Sequence, residues 1–296
     1  VIAKPPITER HAQNVGSTCG SPYNSAPMPN RIDEMFSTLR AINRSGFIAY
    51  ITAGDPSLEA TERLVPALAE AGVDLVELGV PFSDPLADGV VNQLGAQRAL
   101  EAGTTLDKVL RSVRRIRLAT DVPLVLYTYL NPVYIHGFEK FHEEAAAAGV
   151  DGVLILDLPP DEIAANRELA DKHHLKSIRL IAPTTPPARM AMIARTADGF
   201  IYYVSREGVT GEQTQLSDSI AGQVAEIRRH TDLPVAVGFG ISTPEQAAQV
   251  ARQADAVVVG SAIVRRMGEC GDTPDFVDRI VSFVAPLAAA AHGARP

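Results

Sequence analysis

The sequence has few cysteines, no tryptophan and no long apolar run. Its two cysteines, Cys19 and Cys270, are too few for a disulfide framework or a CxxC metal site, so we expect a reduced, cytoplasmic setting. Aromatic residues make up 5% of the chain. No apolar run approaches the roughly 18 residues of a membrane-spanning helix. These absences argue against a secreted disulfide-stapled protein and a membrane-spanning one.

The sequence also lacks a basic excess. Lys and Arg number 27 against 35 Asp and Glu, for a net charge of −8. An acidic chain without a basic block is a poor candidate for binding nucleic acid or an anionic membrane. The 296 residues, 46% of them apolar, suffice for one large domain or two small ones. Composition therefore favours an ordinary globular protein with a sizeable core.

Residues 1–30 differ from the rest of the chain. They carry five prolines and little apolar periodicity, so they are expected to form a disordered leader or extension before a folded domain over residues 31–296. The segment lacks the apolar core of a secretory signal. Because it is poor in acids and contains Ser and Thr, an organelle transit peptide is the alternative.

After residue 30, strand and helix patterns alternate. Arg31–Arg44 has the apolar spacing of an amphipathic helix. Eight short apolar runs predict strands buried on both faces: Phe47–Ile51, Val73–Leu78, Val122–Tyr127, Val150–Leu156, Lys176–Ile181, Gly199–Val204, Leu233–Val237 and Ala256–Val259. Helical periodicity marks intervening segments, among them Leu58–Ala71, Asp161–His173, Ser217–His230 and Pro244–Arg252.

Eight such units predict a single (β/α)8 TIM barrel with an extra N-terminal helix. The alternative, a doubly wound open sheet, more often has a GxGxxG turn after its first strand, and that turn is absent. Because barrel enzymes place their chemistry at the carboxyl ends of the strands, polar residues there become the candidates.

Glu77 ends the second predicted strand, and the loop Pro81–Gly89 that follows carries Asp84 and Asp88. A buried carboxyl at a strand end is a candidate general acid/base, because burial raises its proton affinity. The alternative is a Glu that reaches solvent or pairs with an Arg. Asp84 fits ordinary turn chemistry. A Mg²⁺ site formed by the three acids is a further alternative.

Phosphate binding is indicated after the seventh and eighth predicted strands. Gly238 and Gly240 follow one strand, and Gly260 with Ser261 follows the other, where Ser261 is expected to cap a short helix. A helix N-terminus at this place is a common barrel phosphate site. The loop Ser205–Glu212, with Gly208 and Gly211, could close over a ligand. The alternatives are turn glycines and a merely flexible loop.

Other chemistries lack support. The histidines His173, His174 and His230 lie near predicted helix ends and form no set with the spacing of metal ligands, so no metal site is predicted. No GxSxG motif follows a strand, which argues against a serine hydrolase of that type.

The thirteen residues from Glu77 to Gly89, ELGVPFSDPLADG, closely resemble the strand-two signature of the tryptophan synthase alpha subunit family. The stretches Ser205–Gly211, Gly238–Ser242 and Gly260–Val264 agree in order and spacing. Thr52–Asp55 and Asn131-Pro132 also fit the pattern. The resemblance covers about residues 31–290 and excludes the leader.

The resemblance implies a retro-aldol lyase that cleaves indole-3-glycerol phosphate to indole and glyceraldehyde 3-phosphate. Glu77 would be the main acid/base catalyst, and Asp88 would hydrogen-bond the indole N–H. Tyr202 would contact the substrate, and Tyr50 would line the indole pocket. The phosphate binders carried over from the family pattern are Gly208, Gly211, Gly240, Gly260 and Ser261.

The family also implies a partner, a PLP-dependent beta subunit in an αββα complex with an indole tunnel. The PLP would belong to the beta subunit, and no cofactor is expected in this chain. The loops Pro81–Asp88 and Asn131–His136 would meet the partner, and Ser205–Gln215 would become ordered with substrate and partner bound. Two departures from the family pattern stand out. Val90 replaces a frequent Pro, and Tyr127 replaces a smaller apolar residue.

Three alternatives remain at this point. One is a stand-alone indole-releasing lyase of the same fold. Another is a different phosphate-binding barrel enzyme, such as a metal-assisted epimerase. The third is a catalytically idle subunit that regulates a partner.

Overall fold

The structure is a computed structural model, and it describes residues 30–205, 213–238 and 240–295, with the side chains of residues 213–219 left out. The predicted leader therefore lies outside the described residues, apart from Asn30. Among the described residues, no helix is long and apolar enough to cross a membrane.

Nine parallel strands of the described chain form one sheet that returns on itself as a barrel. Their order is β5-β4-β3-β2-β1-β9-β8-β7-β6. The strands are β1 Gly46–Thr52, β2 Leu75–Gly79, β3 Leu124–Thr128, β4 Gly152–Ile155, β5 Lys176–Ser177, β6 Arg179–Ile181, β7 Ile201–Val204, β8 Val235–Gly238 and β9 Ala256–Val259. The predicted (β/α)8 barrel is confirmed, with β5 and β6 together forming its fifth position.

The fifth predicted strand, Lys176–Ile181, divides at Ile178. Its first part pairs with β4 and its second part pairs with β7. Because barrel strands are staggered, the two neighbours of this strand bond to different segments of it. This pairing produces nine strand segments at eight barrel positions.

Helices alternate with these strands. They are α1 Arg31–Ala41, α2 Leu58–Glu70, α3 Val90–Glu101, α4 Leu106–Ile116, α5 Leu130–His136, α6 Phe138–Ala148, α7 Ile163–Lys172, α8 Pro187–Thr196, α9 Gln213–Arg228, α10 Pro244–Ala251, α11 Ser261–Cys270 and α12 Phe276–His292. The leading helix was predicted to run to Arg44. It stops earlier because Asn43 has φ +50°, outside the helical region.

The leading helix closes the bottom of the barrel. Ile32 and Phe36 of α1 are buried in one apolar cluster with inward-facing residues of the strands, among them Ile48, Leu75 and Val125. Asn30 caps the helix by accepting a hydrogen bond from the Ile32 amide at 2.9 Å. With the lower interior filled, the opposite mouth is the open end of the barrel.

A buried ion pair holds α3 against β1. Arg98 donates to both oxygens of Asp55, at 2.8 and 2.7 Å, and Asp55 is 1% exposed. A bidentate guanidinium–carboxylate pair has a defined geometry as well as a favourable energy. Because α3 begins directly after the loop Pro81–Gly89, this pair helps to set where that loop ends.

Candidate active site

Glu77 is buried inside the upper barrel. On β2 it pairs with Tyr50 of β1 and Val125 of β3, one level above the inward-facing Leu75. The residue is 0% exposed, and neither carboxyl oxygen has a hydrogen-bond partner among the described residues. Burial alone raises the pKa of Glu77 to about 8. At neutral pH the carboxyl is therefore mostly protonated. The described residues provide neither the solvent contact nor the Arg partner of the alternative interpretation.

Asp88 lies in a different environment, half-buried at the barrel mouth. The hydroxyl of Tyr129 donates to its Oδ2 at 2.8 Å, and the hydroxyl of Tyr127 lies 3.5 Å from its Oδ1. Burial raises the pKa of Asp88, while hydrogen bonds from Tyr129, Asn92 and Tyr127 act in the opposite direction. Asp88 therefore has hydrogen-bond donors that favour its ionised form, and Glu77 has none among the described residues.

Tyr129 is a residue that the sequence analysis missed. It follows β3, and besides contacting Asp88 its hydroxyl accepts a hydrogen bond from the Ala87 amide at 3.1 Å. One tyrosine thus anchors both the backbone and the carboxylate of the loop. The available signal was the period-two spacing from Tyr127, which places both side chains on the same side of the strand.

Tyr50 and Tyr202 also line the upper interior. The Tyr50 ring packs edge-on against Tyr127 with centroids 4.9 Å apart, and its hydroxyl lies over Gly79, where a side chain would collide with it. The Tyr202 hydroxyl lies beside Gly238 of β8. Burial raises the pKa of both tyrosines, and the nearby carboxylates of the site raise it further. The arrangement suits a flat, mostly apolar ligand.

The glycines of the predicted phosphate site flank this interior. Gly240 follows β8 with φ +69°, and Gly260 follows β9. A Cβ on Gly260 would lie 3.3 Å from the Tyr50 side chain, so Gly260 is adjacent to the ring pocket. Gly208 and Gly211 lie outside the described residues.

The expectation that Ser261 caps the short helix is wrong. Gly260 is the N-cap residue of α11, Ser261 is the first helical residue, and no side chain caps this end. The reason is the length of β9, which ends at Val259 and leaves a single residue for the turn. The first amides of α11 consequently have no side-chain acceptor, which leaves them available to an anion.

Glu77, Asp84 and Asp88 do not form a metal-binding group in the described part of the chain. Asp84 is exposed and accepts from Ser83 Oγ at 2.5 Å, in line with turn chemistry. In the same described ranges, Asp107, His136 and Glu144 are the acids and histidine close enough to share an ion. The two ring nitrogens of His136 face different acids, Nδ1 towards Asp107 at 3.4 Å and Nε2 towards Glu144 at 2.8 Å, so the three side chains do not converge on one point.

The fold and the mouth together define a class, the (β/α)8-barrel enzymes, here with two acids in unlike surroundings and an uncapped helix end. Comparison with known proteins gives the family. The family model described as tryptophan synthase alpha chain matches residues 36–292. The chain belongs to the tryptophan synthase alpha chain family, which is a family of lyases.

Curated relatives agree with this assignment. The tryptophan synthase alpha chain of Geobacter sulfurreducens is 56% identical over 236 residues, covering 80% of this chain and 89% of the relative. That of Opitutus terrae is 52% identical over 256 residues, covering 86% and 96%.

Solved structures agree as well. The tryptophan synthase subunit alpha of Legionella pneumophila superposes with a TM-score of 0.81 at 38% identity, covering 89% of this chain and 99% of that one. A chain from Mycobacterium tuberculosis tryptophan synthase superposes with a TM-score of 0.80 at 35% identity, covering 90% and 99%.

Proposed function

We propose that this chain cleaves indole-3-glycerol phosphate to indole and glyceraldehyde 3-phosphate by a retro-aldol reaction. The observation that supports this most is that two acids at the same end of the barrel lie in different environments. Glu77 is fully buried without a partner, and Asp88 is half-buried and held by hydroxyl groups. A proton donor and an anion can therefore act on the same ligand.

In this proposal Glu77 handles both protons. Its carboxylic acid protonates C3 of the indole ring, which turns the ring into a cation with an N–H. The resulting carboxylate then removes the proton of the hydroxyl on the adjacent side-chain carbon. The carbon–carbon bond breaks, its electron pair restores the aromatic ring, and the aldehyde leaves. Glu77 ends protonated as it began, consistent with a pKa of about 8.

Asp88 stabilises the cation of this sequence. An ionised carboxylate that accepts the indole N–H is the electrostatic complement of the charge that develops on the ring nitrogen. Tyr50 and Tyr202 would bound the ring. We assign the N–H to Oδ1 of Asp88, because Tyr129 donates to Oδ2 at 2.8 Å and Oδ1 has only a 3.5 Å contact with Tyr127.

The phosphate of the substrate would lie at the glycines. Gly240, Gly260 and Ser261 follow adjacent strands at the mouth, and the amides at the start of α11 have no side-chain cap. Gly208 and Gly211 are proposed as further phosphate binders on the sequence pattern alone. Backbone amides and the positive end of a helix favour a dianion at such a place.

We also propose that a PLP-dependent beta subunit binds beside the mouth in an αββα complex and receives the indole. Large apolar side chains are exposed on the loop Pro81–Asp88 and on the segment Asn131–His136, which was predicted as a loop but belongs to helix α5. Leu86 is 92% exposed, Tyr134 74% and Ile135 76%. Large apolar side chains left in solvent on both segments are consistent with a protein interface. No cofactor is proposed for this chain, and a cytoplasmic location is proposed from its few cysteines.

Indole release from indole-3-glycerol phosphate tests the catalytic proposal, measured with and without a tryptophan synthase beta subunit. We expect slow cleavage by the chain alone and at least a tenfold rise with the partner. Fast cleavage that ignores the partner would instead establish a stand-alone lyase. Absence of cleavage in both conditions would refute the proposed reaction.

The partner surface has its own test. Ile135→Asp should abolish most of the stimulation by the beta subunit, because a carboxylate would be desolvated in an apolar interface. Leu118→Asp is the matched control, since Leu118 is 89% exposed but precedes β3 at the closed end of the barrel. Equal stimulation of both variants would place the interface elsewhere.

A further inference from the structure

Tyr127 is the second hydroxyl beside Asp88. It lies on β3, is half-buried, and faces the barrel interior with Tyr202 and the apolar cluster beneath them. Its hydroxyl is 3.5 Å from Oδ1 of Asp88, whereas Tyr129 contacts Oδ2 at 2.8 Å. The two tyrosines therefore contact different oxygens of one carboxylate.

The Tyr127 ring is held independently of that hydroxyl. It packs edge-on against Tyr50 at 4.9 Å and rests on the inward-facing apolar residues. Edge-to-face aromatic pairs are favourable in their own right. Removing only the hydroxyl should therefore leave the ring in place. Ring packing does not explain why a hydroxyl is present at this position.

Among the described residues, no cation is one of the groups that shift the pKa of Asp88. The groups that favour its ionised form are Tyr129, Asn92 and Tyr127, all neutral donors. The titratable groups around these donors, among the described residues, are Tyr50 on β1, Glu77 on β2, Asp157 after β4 and Tyr202 on β7. A buried carboxylate without a cationic partner depends on its hydrogen bonds, so each donor matters more than it would in water.

The length of the Tyr127 contact is informative. Strong O–H···O bonds measure about 2.5–3.0 Å, so a separation of 3.5 Å is loose. A carboxylate oxygen can accept more than one hydrogen bond. Oδ1 can therefore accept a ligand N–H while Tyr127 stays beside it.

We propose that Tyr127 is a positioning residue that aims Oδ1 of Asp88 at the ring N–H of the substrate. This inference rests on the proposed retro-aldol function. Through its loose contact with Oδ1, the hydroxyl orients this oxygen before the substrate binds. It also helps to stabilise the carboxylate when positive charge develops on the ring nitrogen. Tyr127 acts through Asp88 and takes no direct part in proton transfer or bond cleavage.

The experiment compares Tyr127→Phe with Tyr129→Phe, each of which loses one hydroxyl, in indole-release kinetics between pH 5 and 9. The acid limb of kcat/KM reports ionisation of Asp88. We expect Tyr127→Phe to move this limb to higher pH and to lower kcat/KM at pH 7 about 3- to 10-fold, the effect of one weak hydrogen bond to a charged group. Tyr129→Phe should shift the limb further.

A double-mutant cycle shows whether Tyr127 acts through Asp88. In an Asp88→Asn background the carboxylate is gone, so adding Tyr127→Phe should change turnover less than twofold. An unchanged acid limb in Tyr127→Phe, or an equal loss in both backgrounds, would overturn the inference. If the Phe variant does not fold, Tyr127→Met removes the same hydroxyl and should show the same shift.

Wild-type turnover separates the two proposals. If the wild-type chain releases no indole, the proposed function fails. If the wild type releases indole and Tyr127→Phe keeps the acid limb of the wild type, only the role of Tyr127 fails.

Discussion

Replacing Glu77 by Gln tests the acid/base role and the burial of the carboxyl in one variant. Gln keeps the shape of the side chain but cannot ionise. In the wild type, a rise in pKa from 4.5 to about 8 means that burying the charged form costs more than burying the acid. At 1.36 kcal/mol for each tenfold change, the difference is about 5 kcal/mol.

The sign of the pH dependence follows from proton binding. Between pH 4.5 and 8 the folded chain keeps a proton on Glu77 that the unfolded chain has released. Stability from this group is therefore fully present below 4.5 and is lost as pH rises through about 8. Glu77→Gln has no such titrating group and does not lose this stability. Its free energy of unfolding relative to the wild type should therefore rise by several kcal/mol between pH 4.5 and about 8 and then level off.

Urea unfolding of both chains at pH 5, 7 and 9 measures this difference. A stability difference that stays the same at the three pH values would refute the burial of a titrating Glu77. The same variant should cut indole release about 10²- to 10⁴-fold, the usual contribution of a general acid or base. Glu70→Gln makes the same substitution at the exposed end of α2 and should keep wild-type turnover. If Glu77→Gln retained more than about a tenth of wild-type turnover, Glu77 would not be the catalyst.

Three further changes test the rest of the site. Asp88→Asn should lower turnover with little change in phosphate-ligand affinity, and a change in that affinity alone would contradict its role at the ring nitrogen. Arg98→Met should lower the free energy of unfolding in urea by roughly 2–4 kcal/mol, because it leaves the buried Asp55 carboxylate without its partner. The loss stays moderate because the Arg98 guanidinium is partly exposed. Gly260→Val should raise KM more than it lowers kcat, since a side chain there meets Tyr50 and crowds the phosphate amides. Equal effects on KM and kcat would argue against a phosphate site there.

The barrel could be predicted from the chain because its signals are local. Val, Ile and Leu runs bounded by polar segments indicate buried parallel strands, and eight of them fill one barrel. The errors also have local causes. Asn43 ends α1 early with a positive φ, and a one-residue turn after β9 makes Gly260 rather than Ser261 the N-cap residue. Neither backbone conformation follows from hydrophobic periodicity.

The candidate site was only partly predictable. Glu77 and Asp88 stand out in the sequence because they end a strand and close a Pro-stiffened loop. Tyr129 does not stand out, because its importance comes from contacts with Asp88 and the Ala87 amide some forty residues earlier in the chain. Contacts between neighbouring barrel strands join residues that no sequence window contains.

By itself the sequence determined the order of strands and helices, and it predicted the mouth as the place of the chemistry and the two acids as its catalysts. Those features depend on residue type and spacing along the chain. Only the tertiary structure decided that Glu77 is fully buried without a partner and that Asp88 is held by two tyrosines. The proton affinity of a carboxyl depends on its three-dimensional surroundings, so one carboxyl is buried without a partner while another has donors that favour its ionised form.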